Sequence, residues 1–236
     1  MFKGGYVNRI LKVDLNKEKV DYEEINKEYA LNYIGGAGYA ARILYDLIKA
    51  ETDPLGPDNA LFFTAGPMVG STFPGGTKWT ICFKSPLTGI WGESSASGFF
   101  GAELKRSGFD GILITGRSSS PVYLQIVDGE CEFVGAESLW GMDTYQTCLE
   151  VKSKFRDSSM RVACVGPAGE RLVRISSVIT DEGRVCGRAG VGAVMGSKNL
   201  KAVAVRGHGQ IPLTDLASVR ELSDKARRAV KPPEAP

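Results

Sequence analysis

Gly101-Ala102-Glu103-Leu104-Lys105-Arg106-Ser107-Gly108-Phe109-Asp110-Gly111-Ile112-Leu113-Ile114-Thr115-Gly116 and Gly192-Ala193-Val194-Met195-Gly196-Ser197-Lys198-Asn199-Leu200-Lys201-Ala202-Val203-Ala204-Val205-Arg206-Gly207 pair without a gap over sixteen residues. Each runs from a small-residue helix start into an apolar strand. Upstream of each lies another apolar run ending in Gly-Pro: Ala60 to Ala65 before Gly66-Pro67, and Arg161 to Val165 before Gly166-Pro167. The same order of elements twice, about a hundred residues apart, marks a duplicated supersecondary unit. Two copies are too few for a solenoid. The expected fold is therefore one α+β domain whose mixed β-sheets and flanking helices are related by a pseudo-two-fold axis. The middles of the two units differ, and a floor built from related halves commonly carries its site along that axis.

Working outward, residues 7–15 alternate toward Leu11, Val13 and Leu15, then turn at Asn16-Lys17 into a strand around Val20 to Ile25. Residues 27–49 read as helix, interrupted at Gly35-Gly36, with an apolar stripe at Ile43, Leu44, Leu47 and Ile48. Strands are expected at 60–65 and 77–84, the second with Trp79, Ile81 and Phe83 on one face and Lys78, Thr80 and Cys82 on the other. Ser97-Gly98 is expected to open a helix to about Ser107, before a strand at 111–115. Val122 to Val134 reads as a hairpin around Asp128-Gly129, a dipeptide suited to a type I′ turn. A helix near 144–156, strands at 161–165 and 172–179, a short helix after Gly190 and a strand at 201–206 complete the second unit. Beyond Gly207, Ser218-Val219-Arg220-Glu221 forms a capping box inside a polar helix at about 214–229, followed by a proline-rich tail. A lone helix and tail have no third layer to pack on. Residues 1–210 thus read as one domain and 211–236 as the truncated start of a helical second domain.

The 236 residues, 43% apolar and 24% charged, have the composition of a globular protein with a sizeable core. A net charge of +2 gives no case for nucleic acid or an acidic membrane surface. No apolar run reaches the roughly 18 residues of a membrane span, and the N-terminus shows no signal core. The five cysteines (Cys82, Cys131, Cys148, Cys164, Cys186) are scattered and odd in number, the pattern of free thiols in a reducing cytoplasm. No two have iron–sulfur cluster spacing. His208 is the only histidine, which excludes an intrachain His-based zinc site and disfavours a His-dependent triad; it reads as a surface residue.

Gly36-Ala37-Gly38-Tyr39-Ala40-Ala41 fits G-x-G-x-x-A, but a helical pattern precedes it where a dinucleotide site needs a strand, so it reads as a helix break. Gly190 to Lys198 lacks the G-K-[ST] of a phosphate loop. Two segments remain: Gly75 to Gly98, with Gly75-Gly76-Thr77-Lys78 and Glu93-Ser94-Ser95-Ala96-Ser97-Gly98, and Asp181 to Gly192, with Gly183-Arg184-Val185-Cys186-Gly187-Arg188. Both combine cations, small residues and a following helix start, a combination that suits a phosphate where the first helical amides are exposed. Tight turns explain the glycines equally well.

At these residues the chain resembles a known family. Gly66-Pro67, Lys84-Ser85-Pro86-Leu87-Thr88-Gly89, Phe100-Gly101-Ala102-Glu103-Leu104-Lys105, Gly166-Pro167-Ala168-Gly169-Glu170 and Gly190 to Ala202 are similar to the N-terminal domain of the aldehyde:ferredoxin oxidoreductases, tungsten or molybdenum bis-pterin enzymes. The resemblance runs over about residues 4–207. It implies an α+β base with internal two-fold symmetry on which the cofactor lies. A phosphate-binding arginine of the family falls on Lys78, which keeps the charge but not the bidentate fork. A segment whose main chain helps hold a phosphate-bridging magnesium (Mg) falls on Ser94, Ser95, Ala96 and Ser97, with Ser95 in place of asparagine. The second phosphate-side segment falls on Arg184, Val185, Cys186 and Gly187, and Ser95 and Val185 are the implied main-chain Mg ligands.

The resemblance also implies that the 4Fe-4S cluster ligands, substrate pocket and acid/base residues lie in helical domains outside this chain. The expected activity of the whole protein is cytoplasmic oxidation of aldehydes to carboxylic acids with ferredoxin as acceptor, in a homo-oligomer. The chain alone is expected to be inactive, to carry no catalytic residue and to expose an apolar patch where the other domains would cover it. The same base in an aromatic-ring reductase subunit, or a cofactor-free scaffold, stays open. Two geometric expectations follow: the two units superpose, and Lys78 and Arg184 face a common concave surface.

Overall fold

A strand buried on both faces must lie inside a layered structure, because alternate side chains then enter different cores. Leu61–Ala65 (β3) is such a strand: Leu61 and Phe63 enter one core and Phe62 another. The computed structural model describes residues 2–181 and 183–230. Its first half runs β1 (Arg9–Asp14), β2 (Lys19–Glu24), α1 (Lys27–Tyr33), α2 (Ala37–Leu47), β3, β4 (Trp79–Lys84), β5 (Trp91–Ala96), α3 (Phe100–Arg106) and β6 (Gly111–Thr115). The second runs β7 (Val122–Val127), β8 (Glu130–Gly135), α4 (Thr144–Phe155), β9 (Arg161–Cys164), α5 (Pro167–Glu170), β10 (Val178–Thr180), β11 (Arg184–Cys186), α6 (Val191–Ser197) and β12 (Leu200–Arg206). A last helix, α7 (Leu216–Ala229), follows.

The duplication is larger than the paired sequences. One sheet has the order β2-β1-β6-β3-β4-β5 and the other β8-β7-β12-β9-β10-β11, the same arrangement element for element. The senses agree too: β1 is parallel to β6 and β7 to β12, and every other pairing is antiparallel. The opening hairpins repeat as alternation, with Leu11 and Leu124 equivalent beside the aligned Ile112 and Val203.

The halves stack as layers. Inner faces of both sheets enclose α3 and α6 in one core built from Phe63, Trp79, Ile81, Phe100 and Leu104 of the first half and Val165, Val178, Val194, Met195 and Val203 of the second. Outside, α2 covers Ile10, Phe62, Cys82 and Leu113, while α4 covers Tyr123, Val162, Cys164 and Ala204. In β4, Trp79, Ile81 and Phe83 indeed face away from Cys82. Asp128 and Gly129 take φ of 45° and 95°, as a type I′ turn requires.

Four local expectations are corrected. Residues 91–96 form strand β5, with Ser95 paired to Thr80. The following helix begins at Phe100, not Ser97, because Gly98 has φ +104 and cannot join it. The strand expected at 172–179 shrinks to Val178–Thr180: Pro167–Glu170 is a helical turn and Leu172 has φ 59°. In α7 the N-cap is Asp215, which accepts from Ser218 N; Ser218 is already helical. Nor is α7 without a neighbour, since Ser223 Oγ lies 3.3 Å from Thr72 Oγ1 and Arg227 donates to Thr72 O. The proline tail lies outside the described residues.

Buried charges brace both halves. Lys105 Nζ lies 3.9 Å from Asp110 Oδ1, and Asp110 accepts from Val7 N and Asn8 N. The residue paired with Asp110 in the second copy is Lys201, of opposite sign, and it meets Glu170 at 2.5 Å. Arg206 of β12 crosses to Glu103 of α3 at 2.7 Å. Lys198 is buried and donates to Gly116 O (2.9 Å) and Pro57 O (3.3 Å), with no carboxylate within ion-pair distance among the described residues. Burial, reinforced by Arg117, pushes its ammonium down to about 7.

Between that value and 10.5 the unfolded chain keeps a proton on Lys198 that the folded chain has released, so stability rises with pH from about 7. Buried thiols reverse the trend only above the ordinary thiol value of 9.0. Burial likewise pushes Lys105 down to about 8, which adds to the rise above that pH. Urea midpoints between pH ~7 and ~8.5 should therefore climb, and Lys198→Met should lessen the slope, most of all below pH ~8; an unchanged slope there rules the assignment out. A second expectation concerns the contact of α5 with α6, where a Cβ on Gly196 would run into Gly169 O and Gly169 C. Gly196→Ala should cost about 1–3 kcal/mol in a denaturant melt.

Candidate cofactor-binding site

β5 and β11 end their sheets and pack against each other where the halves meet. Edge strands leave a row of backbone groups outside any ladder. An open concavity of about 510 Å³ lies along this seam, lined by Gly75, Thr77, Lys78, Ser95, Ala96, Ser97, Gly183, Arg184 and Val185. The structure thus brings together Lys78, Ser95, Ala96 and Ser97 from one half with Arg184 and Val185 from the other. The two cations do face one surface. Among the described residues neither side chain makes an ion pair or hydrogen bond, while Ser95 Oγ lies 2.9 Å from Thr80 Oγ1.

Three of the expected residues do not line the concavity. Ser94 is buried, and its Oγ accepts from Arg188 N across the seam at 2.9 Å. Cys186 points into the shared core, where burial pushes its thiol up to about 12. Gly187 is exposed just beyond β11. Strand alternation separates Ser94 from Ser95 and Cys186 from Val185, whereas Ala96 and Arg184, on the same parity as Ser94 and Cys186, line the hollow from the strand ends. Gly75, Thr77 and Gly183 line the site without having been singled out; they stood in the two quoted segments, but nothing in the chain said which of those residues would face inward.

The expected exposed helix starts are not there. Phe99 N donates to Asp181 Oδ2 and Gly192 N to Ser176 O, and Phe100, Gly101, Val191 and Gly192 are buried. Enclosure of α3 and α6 between the sheets buries their first residues. An anion here would meet side-chain cations, hydroxyls and edge-strand backbone. Free cations and hydroxyls in an open hollow fit phosphate groups, and the carbonyls of two edge strands fit a hard cation beside them.

A more apolar groove of about 450 Å³ between α2 and the β4–β5 hairpin is lined by Leu44, Tyr45, Ile48, Phe83, Ile90 and Trp91 together with Lys49 and Lys84, all from the first half of the chain. Gly36 caps α2 directly after α1, as a helix break should. His208 is exposed and pairs with Asp128 at 2.8 Å. Among the described residues no three His, Cys, Asp or Glu side chains cluster as metal ligands, and no helix is long and apolar enough to cross a membrane. Phe99 and Val185 are exposed apolar side chains at the seam, and Met68, Leu87, Ile90 and Trp91 are exposed elsewhere on the first half.

Comparison with known proteins agrees with this geometry. The family model described as "Aldehyde ferredoxin oxidoreductase, N-terminal domain" matches residues 10–207. The chain is 40% identical, over 94% of its length, to the tungsten-containing aldehyde ferredoxin oxidoreductase of Thermococcus kodakarensis, and 38% identical to that of Pyrococcus furiosus. It is 37% identical over 88% of its length to the WOR-like subunit of an aliphatic sulfonate oxidoreductase of Pyrococcus furiosus. The solved active-site complex BamBC of benzoyl coenzyme A reductase with 1,5-dienoyl-CoA superposes with a TM-score of 0.93 at 31% identity, covering all of this chain and 37% of that one. The chain spans about 38% of the length of the aldehyde-oxidising relatives. With its two matched halves and a cation-lined seam between them, this chain belongs to the aldehyde ferredoxin oxidoreductase family, as its N-terminal domain.

Proposed function

We propose that this chain is the cofactor base of a tungsten–pterin, iron–sulfur oxidoreductase that oxidises aldehydes to carboxylic acids and passes the electrons to ferredoxin. One observation carries the reading: Lys78 of one half and Arg184 of the other line a single hollow at the pseudo-symmetric seam, with no ionic partner among the described residues. Two cations supplied by two halves suit a ligand with two phosphates, one per pterin, through charge-assisted bonds. Ser95, Ser97 and Thr77 add hydroxyl donors. The main-chain oxygens of Ser95 and Val185, on facing edge strands, are the proposed Mg ligands. The tungsten (or molybdenum) bis-pterin, when bound, supplies the two-electron chemistry. This chain's residues bind the phosphates, neutralise their charge and orient the cofactor on the floor.

In this proposal the cluster, the substrate pocket and the ferredoxin contact belong to the remaining length of the protein, which works as a cytoplasmic homo-oligomer. Names of the relatives support the aldehyde substrate over ring reduction, since identity is higher to the aldehyde enzymes (40%) than to the ring reductase (31%). Two cations in an open hollow, unpaired among the described residues, also speak against a cofactor-free scaffold.

The test uses the full-length protein from its native host. Lys78→Ala and Arg184→Ala should each lower tungsten and pterin content, measured by metal analysis and pterin fluorescence, and the double variant should lower it by more than tenfold, about the scale of two charge-assisted bonds. Viologen-linked aldehyde oxidation should fall in parallel. A double variant with full metal and pterin content refutes the reading.

A further inference from the structure

Among the described residues no strand ladder joins the two sheets at the seam, so another contact must fix the Lys78–Ser95 side against the Arg184–Val185 side. Asp181 makes such a contact. It sits in the β10–β11 turn at φ 47°, with its side chain only 7% exposed. Oδ2 accepts from Phe99 N of the opposite half at 2.5 Å. Phe99 lies two residues beyond Ser97, and Asp181 three before Arg184. The chain between Ser97 and Phe99 is Gly98, at φ +104, where an added Cβ would strike Asp181 Oδ2 and reach within 3.1 Å of Arg184 Cγ. Arg161 closes the joint from the second half: its Nε is 3.9 Å from Asp181 Oδ1, and its guanidinium lies 4.9 Å over the Phe99 ring.

A buried carboxylate beside a phosphate cradle repels the ligand, and a side chain needed only for bulk would be better neutral. What the carboxylate supplies is a strong acceptor for a backbone N–H of the other half. We propose that Asp181 is a positioning residue that sets the spacing between the two cation-bearing edges of the cradle, acting through Phe99 N and dependent on glycine at position 98. This rests on the cofactor-base reading above.

Calorimetric titration of the 236-residue chain with magnesium pyrophosphate at low ionic strength tests it. Asp181→Ala should weaken binding about tenfold, the scale of one charge-assisted hydrogen bond. Gly98→Ala, which leaves Asp181 in place but obstructs the joint, should weaken it similarly. Asp181→Asn keeps an acceptor for Phe99 N, a neutral and weaker one, so it should bind more tightly than Asp181→Ala and no more tightly than the unaltered chain. A merely structural loss would not be rescued in this way. Weakening by Lys78→Ala and Arg184→Ala with no effect of Asp181→Ala and Gly98→Ala overturns the positioning role alone, as does an Asn variant as weak as Ala. No binding by the unaltered chain, or indifference to Lys78→Ala and Arg184→Ala, overturns the cofactor-base reading and this role with it. If Asp181→Ala does not fold, as judged by far-UV circular dichroism, the Gly98→Ala and Asp181→Asn arms decide.

Discussion

Everything in this domain hangs on the apolar core that the two sheets share. Each half offers an inner sheet face and one short helix, and neither could bury its own face alone. Phe63, Trp79 and Phe100 of one half, with Val165, Val194 and Met195 of the other, are withdrawn from water only because the halves close on each other. At about 1.5–3 kcal/mol for each large side chain so buried, the shared core outweighs any single polar contact in the molecule. It also explains why α3 and α6 can be only seven residues long: they are held by sheets on two sides, not by their own propensity.

That closure decides where chemistry can happen. With α3 and α6 enclosed, their first residues are buried, and the edge-strand backbone near the axis belongs to β5 and β11. A dry, continuous core between the sheets leaves ligands only the open rim, where the last strand of each sheet meets its counterpart. The rim is then fixed by small polar joints: Ser94 Oγ to Arg188 N, Ser85 Oγ to Ala189 O, and Asp181 to Phe99 N. All three bind a side chain of one half to the backbone of the other, so the seam is held without consuming Lys78 or Arg184.

Internal charges follow the same logic with different residues. Lys105 with Asp110 and Lys201 with Glu170 brace the two halves near corresponding strand starts, yet aligned positions 110 and 201 carry opposite signs. What was kept through duplication is a buried, compensated charge, since an unpaired one is costly in a low-dielectric interior. Lys198 departs from this pattern: among the described residues carbonyl oxygens hold it, and burial, with Arg117 nearby, depresses its ammonium pKa.

Gly101–Gly116 and Gly192–Gly207 determined the duplication by themselves, because helix start, turn and strand are written in local residue types and spacing. The hairpin at Asp128-Gly129 and the helix break at Gly35-Gly36 were legible for the same reason, and so were the site segments, through cations and small residues in order. Which residues of those segments face the ligand was not legible. Ser94 and Cys186 turned inward and Ser95 and Val185 outward through strand parity, which depends on pairings with Ile81, Thr80, Val178 and Ile179 far along the chain. The short strands β5 and β11 carry no strong periodicity, and only their sheets make them strands. Asp181 and Phe99, 82 residues apart, become partners only after the halves close. Local chemistry therefore wrote the elements, and long-range packing chose the seam that joins them into a site.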